Sequence, residues 1–437
     1  MVQISRFSAI AAAAAMAFQA SADDLTLITD GGVLPSSWEW SDSSAWSPEG
    51  GSLENANLTI SGVAESAANS TITGGLTLGD IDILVGDNGN SANALRVDTV
   101  GADVNFGTLT IANNGFTQTV IVSTQSDTSA TGKWIGDTIN IISDGVNRQT
   151  VTLSPNNPHL TLSGGVNITN NSAIDSAIIQ GQTQISGAIT MKAAGSAEGA
   201  KLMLNMWNMS IGGLSDGGVA ANHVISFNWG GTINLYNAAD YSWRGRFEVE
   251  GGENINISKN GVGSQRFEVT GIKNHFGNIR ANEGLLEIDA SAISTLFANN
   301  LYVSGGSFKN VGNLNVGALI LTGGSIVLGN DTGMIIVDGN LSKGDAPEDA
   351  GKISIDFSEL TASGEYTLIE VLGDIIDFDR EDALADFDLI NLVEGANAEL
   401  IWDGNSLVLS YTVPEPAAVA AILGAAALGF AALRRRK

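Results

Sequence analysis

The sequence predicts an all-β protein, an elongated parallel β-helix or β-solenoid with a C-terminal antiparallel β-module and a single hydrophobic helical segment at each end. Three observations predict it. Short runs alternate apolar residues with Thr, Ser, Asn or Asp along most of the chain, the period-2 signature of strands with one buried face. Gly and Asn clusters punctuate those runs; Gly supplies 53 of 437 residues and Pro only 7, a composition suited to short strands joined by tight turns. Two segments, LYVSGGS and LILTGGS, repeat one pattern around Gly305 and Gly323, at a spacing close to the length of one solenoid coil.

The first element, residues 1–22, reads as a signal peptide. Arg6 is a basic n-region, Ser8 to Phe18 an Ala-rich apolar stretch, and Ala20-Ser21-Ala22 an A-x-A cleavage signal ahead of Asp23. This layout is too short to span a membrane as an ordinary helix and fits removal during export.

Residues 23–350 form the repeat region. Runs such as NLTIS, TLTIA, TINIIS, TINLY, INIS and LLEID recur with drifting period. A single coil cannot bury its apolar face, so neighbouring coils must cover it. Asn side chains at equivalent positions can then hydrogen-bond from coil to coil. Open strand edges invite association, and the Trp-rich segment 36–50, with Trp38, Trp40 and Trp46, stands where an N-terminal cap belongs. In a strand, Trp38 and Trp40 would face the same side. This opening followed by NLTISG resembles the start of many autotransporter-like bacterial surface proteins.

Residues 351–412 carry longer alternating runs, and Trp402-Asp403-Gly404-Asn405 reads as a hairpin turn. They predict an antiparallel module closing the solenoid. GDAPEDAG (344–351) is the boundary loop, and FDREDALADF (378–387) predicts a short helix.

The last element, residues 413–437, has three parts. Pro414-Glu415-Pro416 bars helix. Ala417 to Leu433 is an unbroken apolar run, and Arg434, Arg435, Arg436 and Lys437 form a stop-transfer cluster. The order closely resembles the PEP-CTERM sorting signal of Gram-negative, matrix-producing bacteria. The resemblance implies a membrane-anchored precursor that an exosortase-type enzyme cuts at the motif, after signal peptidase has acted at the other end. The protein is then passed to the cell surface or extracellular matrix.

Charge and composition exclude several functions. The formal charge is −27, and part of the small basic complement, Arg6 and Arg434 to Lys437, sits at the two ends. So acidic a body repels phosphate backbones and excludes nucleic-acid binding. With no cysteine there is no disulfide framework and no thiol chemistry. His159, His223 and His275 lack partners at metal-ligand spacing, and no nucleophile elbow or phosphate loop is present. Asp377, Asp379, Glu381, Asp382, Asp386 and Asp388 lack the glycine that a calcium loop needs. Asp80, Asp82 and Asp87 read as a solvated strand face. Arg244 and Arg246 alternate with Glu248 and Glu250 as cross-strand partners. Met203, Met206, Trp207, Met209 and Trp243 read as core, as does Trp229, although an exposed Trp229 or Trp243 would stack on sugars.

No catalytic, metal or cofactor residue is therefore assigned. The reading is an exported surface or matrix protein of structural, adhesin-like character, with extracellular polysaccharide as a candidate partner. The alternatives are a carbohydrate-active β-helix enzyme, a lyase or hydrolase, and a glycan-binding surface protein. Two or more carboxylates and a base converging within about 10 Å would mark the enzyme; scattered acids would mark the scaffold.

Overall fold

The computed structural model describes residues 23–414 except 31–32, 50, 65–67, 88–94, 100–102, 114–117, 125–131, 144–148, 155–159, 171–174, 181–182, 194–200, 206–207, 218–222, 228–229, 250–253, 274, 294–295 and 345–351. Of the expected end segments only Val413 and Pro414 are described; residues 1–22 and 415–437, with Ala20, Ala22, Glu415, Pro416 and Arg434 to Lys437, therefore lie outside the described residues. So does most of the boundary loop. Among the described residues no helix is long and apolar enough to cross a membrane. The chain is all-β and its coils form a β-solenoid. It divides into two compact units, residues 1–183 and 184–437.

In the first unit each coil contributes three strands. Asn57–Ala64, Ala68–Ile72 and Leu76–Thr77 pair in parallel with Ile81–Asp87, Leu95–Thr99 and Val104–Asn105 of the next coil. The registers Leu58↔Ile81, Ile81↔Leu109, Leu109↔Ile139 and Ile139↔Val166 each advance the chain by one coil, and no two of these steps are equal. Insertions at the corners cause the drifting period, because a loop can lengthen without disturbing the ladder. Ile60, Ile83, Ile111, Ile141 and Ile168 form one inward row, all buried. Each such side chain contributes about 1.5–3 kcal/mol by leaving water. Thr59, Asp82, Thr110, Asn140 and Asn167 form the outward row beside it, where Asn167 Nδ2 donates to Asn140 Oδ1 at 2.9 Å.

The Trp-rich opening lies on the first strands of this unit. Asp24–Leu27 lies parallel to Asn57–Ala64, and its other edge is covered antiparallel by Trp46–Ser47. Trp38 pairs with Ser70, and Trp40 N–H continues the ladder by donating to Thr71 O at 3.0 Å. Both indoles therefore face the interior side, as their parity predicts. Trp40 and Trp46 are fully buried, while Trp38 is only half-buried.

In the second unit the long strands bend around corners. The first half of Tyr241–Val249 pairs with 265–269 and the second half with 271–273, the register slipping between Gly245 and Arg246. Met209, Ile233, Ile257, Ile279 and Leu301 make an inward row, one from each successive coil. Trp243 packs with Phe247 and Phe267, ring centroids 4.9 and 6.1 Å away. Within the long strand Leu296–Gly329 the coil tightens: Gly324 lies against Gly306, and Gly317 against Asn299. The two GGS segments thus stack one coil apart.

Past residue 351 the expected antiparallel module is only partly present. Ile353–Glu359 continues the parallel ladder, Ser325–Val327 on one side and Phe387–Ile390 on the other. Ile375–Ile376 likewise pairs in parallel with Leu341–Ser342. Antiparallel pairing is confined to Gly364–Val371, Ser406–Thr412 and Asn397–Asp403. The alternating runs looked alike because parallel and antiparallel strands with one buried face share period 2. The hairpin turn stands where expected, with Gly404 at φ 61°. The segment 378–387 is not a helix: only Ala383–Ala385 forms a 3-10 turn. Asp379 and Asp382 draw the surrounding N–H groups into side-chain turns instead.

Candidate functional site

Two features of the second unit concentrate polar chemistry. The first is a charged face. Register places Arg244, Glu268 and Asp289 in one row and Arg266, Glu287 and Lys309 in the next. Arg266 Nη1 lies 3.2 Å from Glu287 Oε1 and its Nη2 lies 2.7 Å from Asp289 Oδ2. Lys309 Nζ lies 3.5 Å from Glu287 Oε1 and 2.7 Å from Glu359 Oε2. Arg244 Nε lies 3.1 Å from Glu268 Oε1. Glu287, Asp289 and Lys309 are buried, whereas Arg266 stays partly exposed.

Two carboxylates and two bases do converge here, within the spacing that marks an enzyme in the sequence argument. Three of these groups are pushed away from titration near neutrality, however. Burial works to lower Arg266, yet Glu287 and Asp289 more than offset it and raise it. Burial works to lower Lys309 too, and its bond to Glu359 with the Glu287 charge raises it instead. Burial pushes the Asp289 carboxyl up, but hydrogen bonds from Ser291 and Arg266 outweigh it and hold it below the usual range. A general acid or base works best near the operating pH; these shifts run the other way.

The second feature is a groove of about 520 Å³ crossing several coils. Gly230, Gly231 and Gly277 open it, and Asn208, Thr232, Asn254, Asn256, Asn278 and Asn299 line it. The row Asn208↔Thr232↔Asn256 is continued by Asn278↔Asn300. Two of these amides build the floor. Asn256 Oδ1 accepts from Asn278 N at 2.7 Å, and Asn278 Oδ1 accepts from Asn300 Nδ2 at 2.8 Å. An ideal Cβ on Gly277 would lie 2.5 Å from Asn256 Oδ1, so the glycine leaves room for that bond. A smaller pocket of about 210 Å³ lies beside Leu328, Thr332, Leu360 and Tyr366.

Other sequence candidates find structural places. Arg246 pairs with Glu248 on its own strand at 2.8 Å, not across strands, while Arg244 does reach across. Glu250 lies outside the described residues. His223 is buried in register with Gly245; burial lowers its pKa, and Asp216 opposes that shift. His275 is exposed and His159 is not described. Asp80 Oδ1 accepts from Thr108 N at 2.7 Å, a coil-to-coil bond, while Asp82 stands on the solvated face and the Asp87 side chain is not described. Asp386 binds Lys343 and accepts from Asp379 N at 2.6 Å. Asp377 has φ 66° and Asp388 lies 3.7 Å from Lys352. No group of three metal-ligating side chains occurs among the described residues.

Trp243 and Met209 are core, and Trp243 Nε1 donates to Met191 Sδ at 3.3 Å. The Met203 side chain, Met206, Trp207 and Trp229 are not described. Sequence reasoning assigned none of the groove amides. Part of their signal was present as Asn beside an apolar residue in NMS, INIS and GNIR, with Thr232 opening TINLY and Asn299 opening NNLY.

No family model, curated protein or solved structure matches this chain.

Proposed function

We propose that the chain is an exported protein of the cell surface or extracellular matrix, structural and adhesin-like in role. Signal peptidase processes it at Ala22 and an exosortase-type enzyme at Pro414-Glu415-Pro416. The supporting observation is how the body uses its polar side chains. Arg266, Glu287, Lys309 and Glu359 bind residues of other coils, and so do Asn140, Asn167, Asn278 and Asn300. Such bonds brace a stack against shear and tie the charged groups of this face to one another. The motif-bearing ends supply the location.

The test is intact-mass measurement on protein recovered from the native host's surface and matrix. The expected species begins at Asp23 and lacks Arg434 to Lys437. Recovery of mature material that keeps both ends overturns the reading.

A second reading, a carbohydrate-active enzyme, is favoured by one observation: Glu287, Asp289, Arg266 and Lys309 meet on one face. Release of reducing or unsaturated ends from polysaccharides by the purified chain, abolished by Lys309→Met, would establish it in place of the scaffold.

A further inference from the structure

We infer that the amide-lined groove over Asn208 to Asn299 is a binding site for an uncharged, hydroxyl-rich polysaccharide chain. The inference deepens the surface-protein reading and rests on it only for where the ligand is met.

Four observations carry it. First, the groove has the volume of a ligand site, about 520 Å³, inside the usual span of roughly 300–1,000 Å³. Second, Asn208, Asn254 and Asn299 line it with side chains that make no hydrogen bond to the described residues. Each presents two N–H donors and a carbonyl acceptor. A sugar hydroxyl both donates and accepts, so it can satisfy either end of an amide. Third, among the described residues no charged side chain lines the groove, and the chain carries −27 overall. Anions are repelled, and a cation meets no carboxylate among those lining residues. Fourth, the groove crosses strands, so its polar groups repeat at the inter-strand spacing of about 4.8 Å. A linear polymer of similar repeat can meet a polar side chain on each successive coil, the hydroxyl of Thr232 standing between the amides of Asn208 and Asn256.

A peptide fits less well. Strand addition needs a free sheet edge and pockets for alternate side chains, whereas the described lining residues lie on a paired face and form no apolar pocket. Among them there is no aromatic ring, so each sugar they touch is held weakly and binding depends on chain length through repeated contacts.

The experiment is affinity gel electrophoresis of the full chain in a mild non-ionic detergent. Gels contain dextran, galactomannan, soluble starch or, as the anionic comparison, alginate. At least one neutral polymer should retard the protein, long chains far more than their oligosaccharides. The variant Asn254→Ala/Asn299→Ala should weaken that retardation about tenfold, the effect of losing two hydrogen bonds. Its melting should be unchanged, since neither side chain is braced; if it is not, Asn208→Ala serves in its place.

Retardation by none of the neutral polymers overturns the inference. So does equal retardation of variant and parent, or stronger retention by alginate. Failure here leaves the end-processing measurement untouched, and failure of that measurement leaves this one untouched, so the two readings fall separately.

Discussion

Trp46 Nε1 donates to the backbone carbonyl of Trp40 at 3.0 Å, and the two indoles meet edge to face with centroids 5.9 Å apart. This pair fastens the segment that covers the outer edge of the first unit. Trp46 belongs to the short strand lying on Asp24–Leu27, and Trp40 continues the ladder on Ala68–Ile72. Replacing a fully buried Trp by Ala costs about 3–5 kcal/mol. It would also free a strand edge able to pair with another molecule. Trp40→Ala and Trp46→Ala should each lower the melting temperature by several degrees and produce oligomers visible in light scattering. Trp38→Ala should cost less, because that ring is only half-buried. Unchanged melting and monodispersity in the first two variants would show that the pair is no cap.

Gly324 and Gly404 separate two reasons for glycine. Both have left-handed backbones, at φ 77° and 61°. A Cβ on Gly404 would meet nothing within 4 Å, whereas one on Gly324 would lie 2.1 Å from Gly306 O on the adjacent coil. Alanine at 404 therefore costs only backbone strain, about 1 kcal/mol. Alanine at 324 adds a backbone clash that so tight a coil cannot relieve. Denaturant melts should rank Gly324→Ala well below Gly404→Ala; equal effects would mean that the coil relaxes freely.

Those two glycines also mark how far the sequence can be read. Alternation along NLTIS or TINLY identifies strands because every second residue must leave water. The GGS repeat identifies a coil because only glycine allows backbones so close. Neither signal carries strand direction, so 353–359 read as part of a hairpin module when it is another parallel coil. The segment 378–387 read as a short helix, yet Asp379 and Asp382 capture N–H groups that a helix would need. The charged face was half legible. Arg244 and Arg246 stood out, but their partners depend on register: Glu268 sits across the ladder on the next coil, while Glu248 shares the strand of Arg246. The groove was illegible for the same reason. Its asparagines lie on different coils, and only the coil lengths bring them into one line.

Lys309 tests what the charged face does. It is buried between Glu287 and Glu359, and Glu287 Oε1 lies between it and Arg266. Lys309→Met keeps most of the volume and removes the cation, leaving Glu287 with Arg266 alone. A buried acceptor deprived of a partner costs about 1–3 kcal/mol, and more for a charge. The variant should be destabilised by at least that amount, and Lys309→Met/Glu287→Gln should recover part of the loss. A Lys309→Met protein as stable as its parent would remove the brace and strengthen the enzymatic reading of the same residues.

Lys259 gives the unit a pH dependence of unusual sign. It occupies an inward row between Leu235 and Ala281, fully buried, its ammonium donating to Gly261 O and, at 3.3 Å, to Glu283 O. Burial lowers its pKa from 10.5 to about 8, although the Glu283 and Asp240 charges pull the other way. Below about pH 8 both folded and unfolded chains carry the proton, and the folded state bears the whole cost of burying it. Between about 8 and 10.5 the unfolded chain holds more protons than the folded one, so stability rises with pH. Buried His223 has the same sign, but its lowered pKa confines it below 6.5. Lys309, raised above 10.5, acts only at higher pH and in the opposite sense. Tyr366, raised above 10 by burial, acts above that range, so among the described residues the window from about pH 8 to 10 belongs to Lys259. Denaturant midpoints should climb across it in the parent and stay flatter in Lys259→Met, which has no proton to lose. Curves of equal slope in the two proteins would mean that the amine keeps its ordinary affinity for a proton inside the coil.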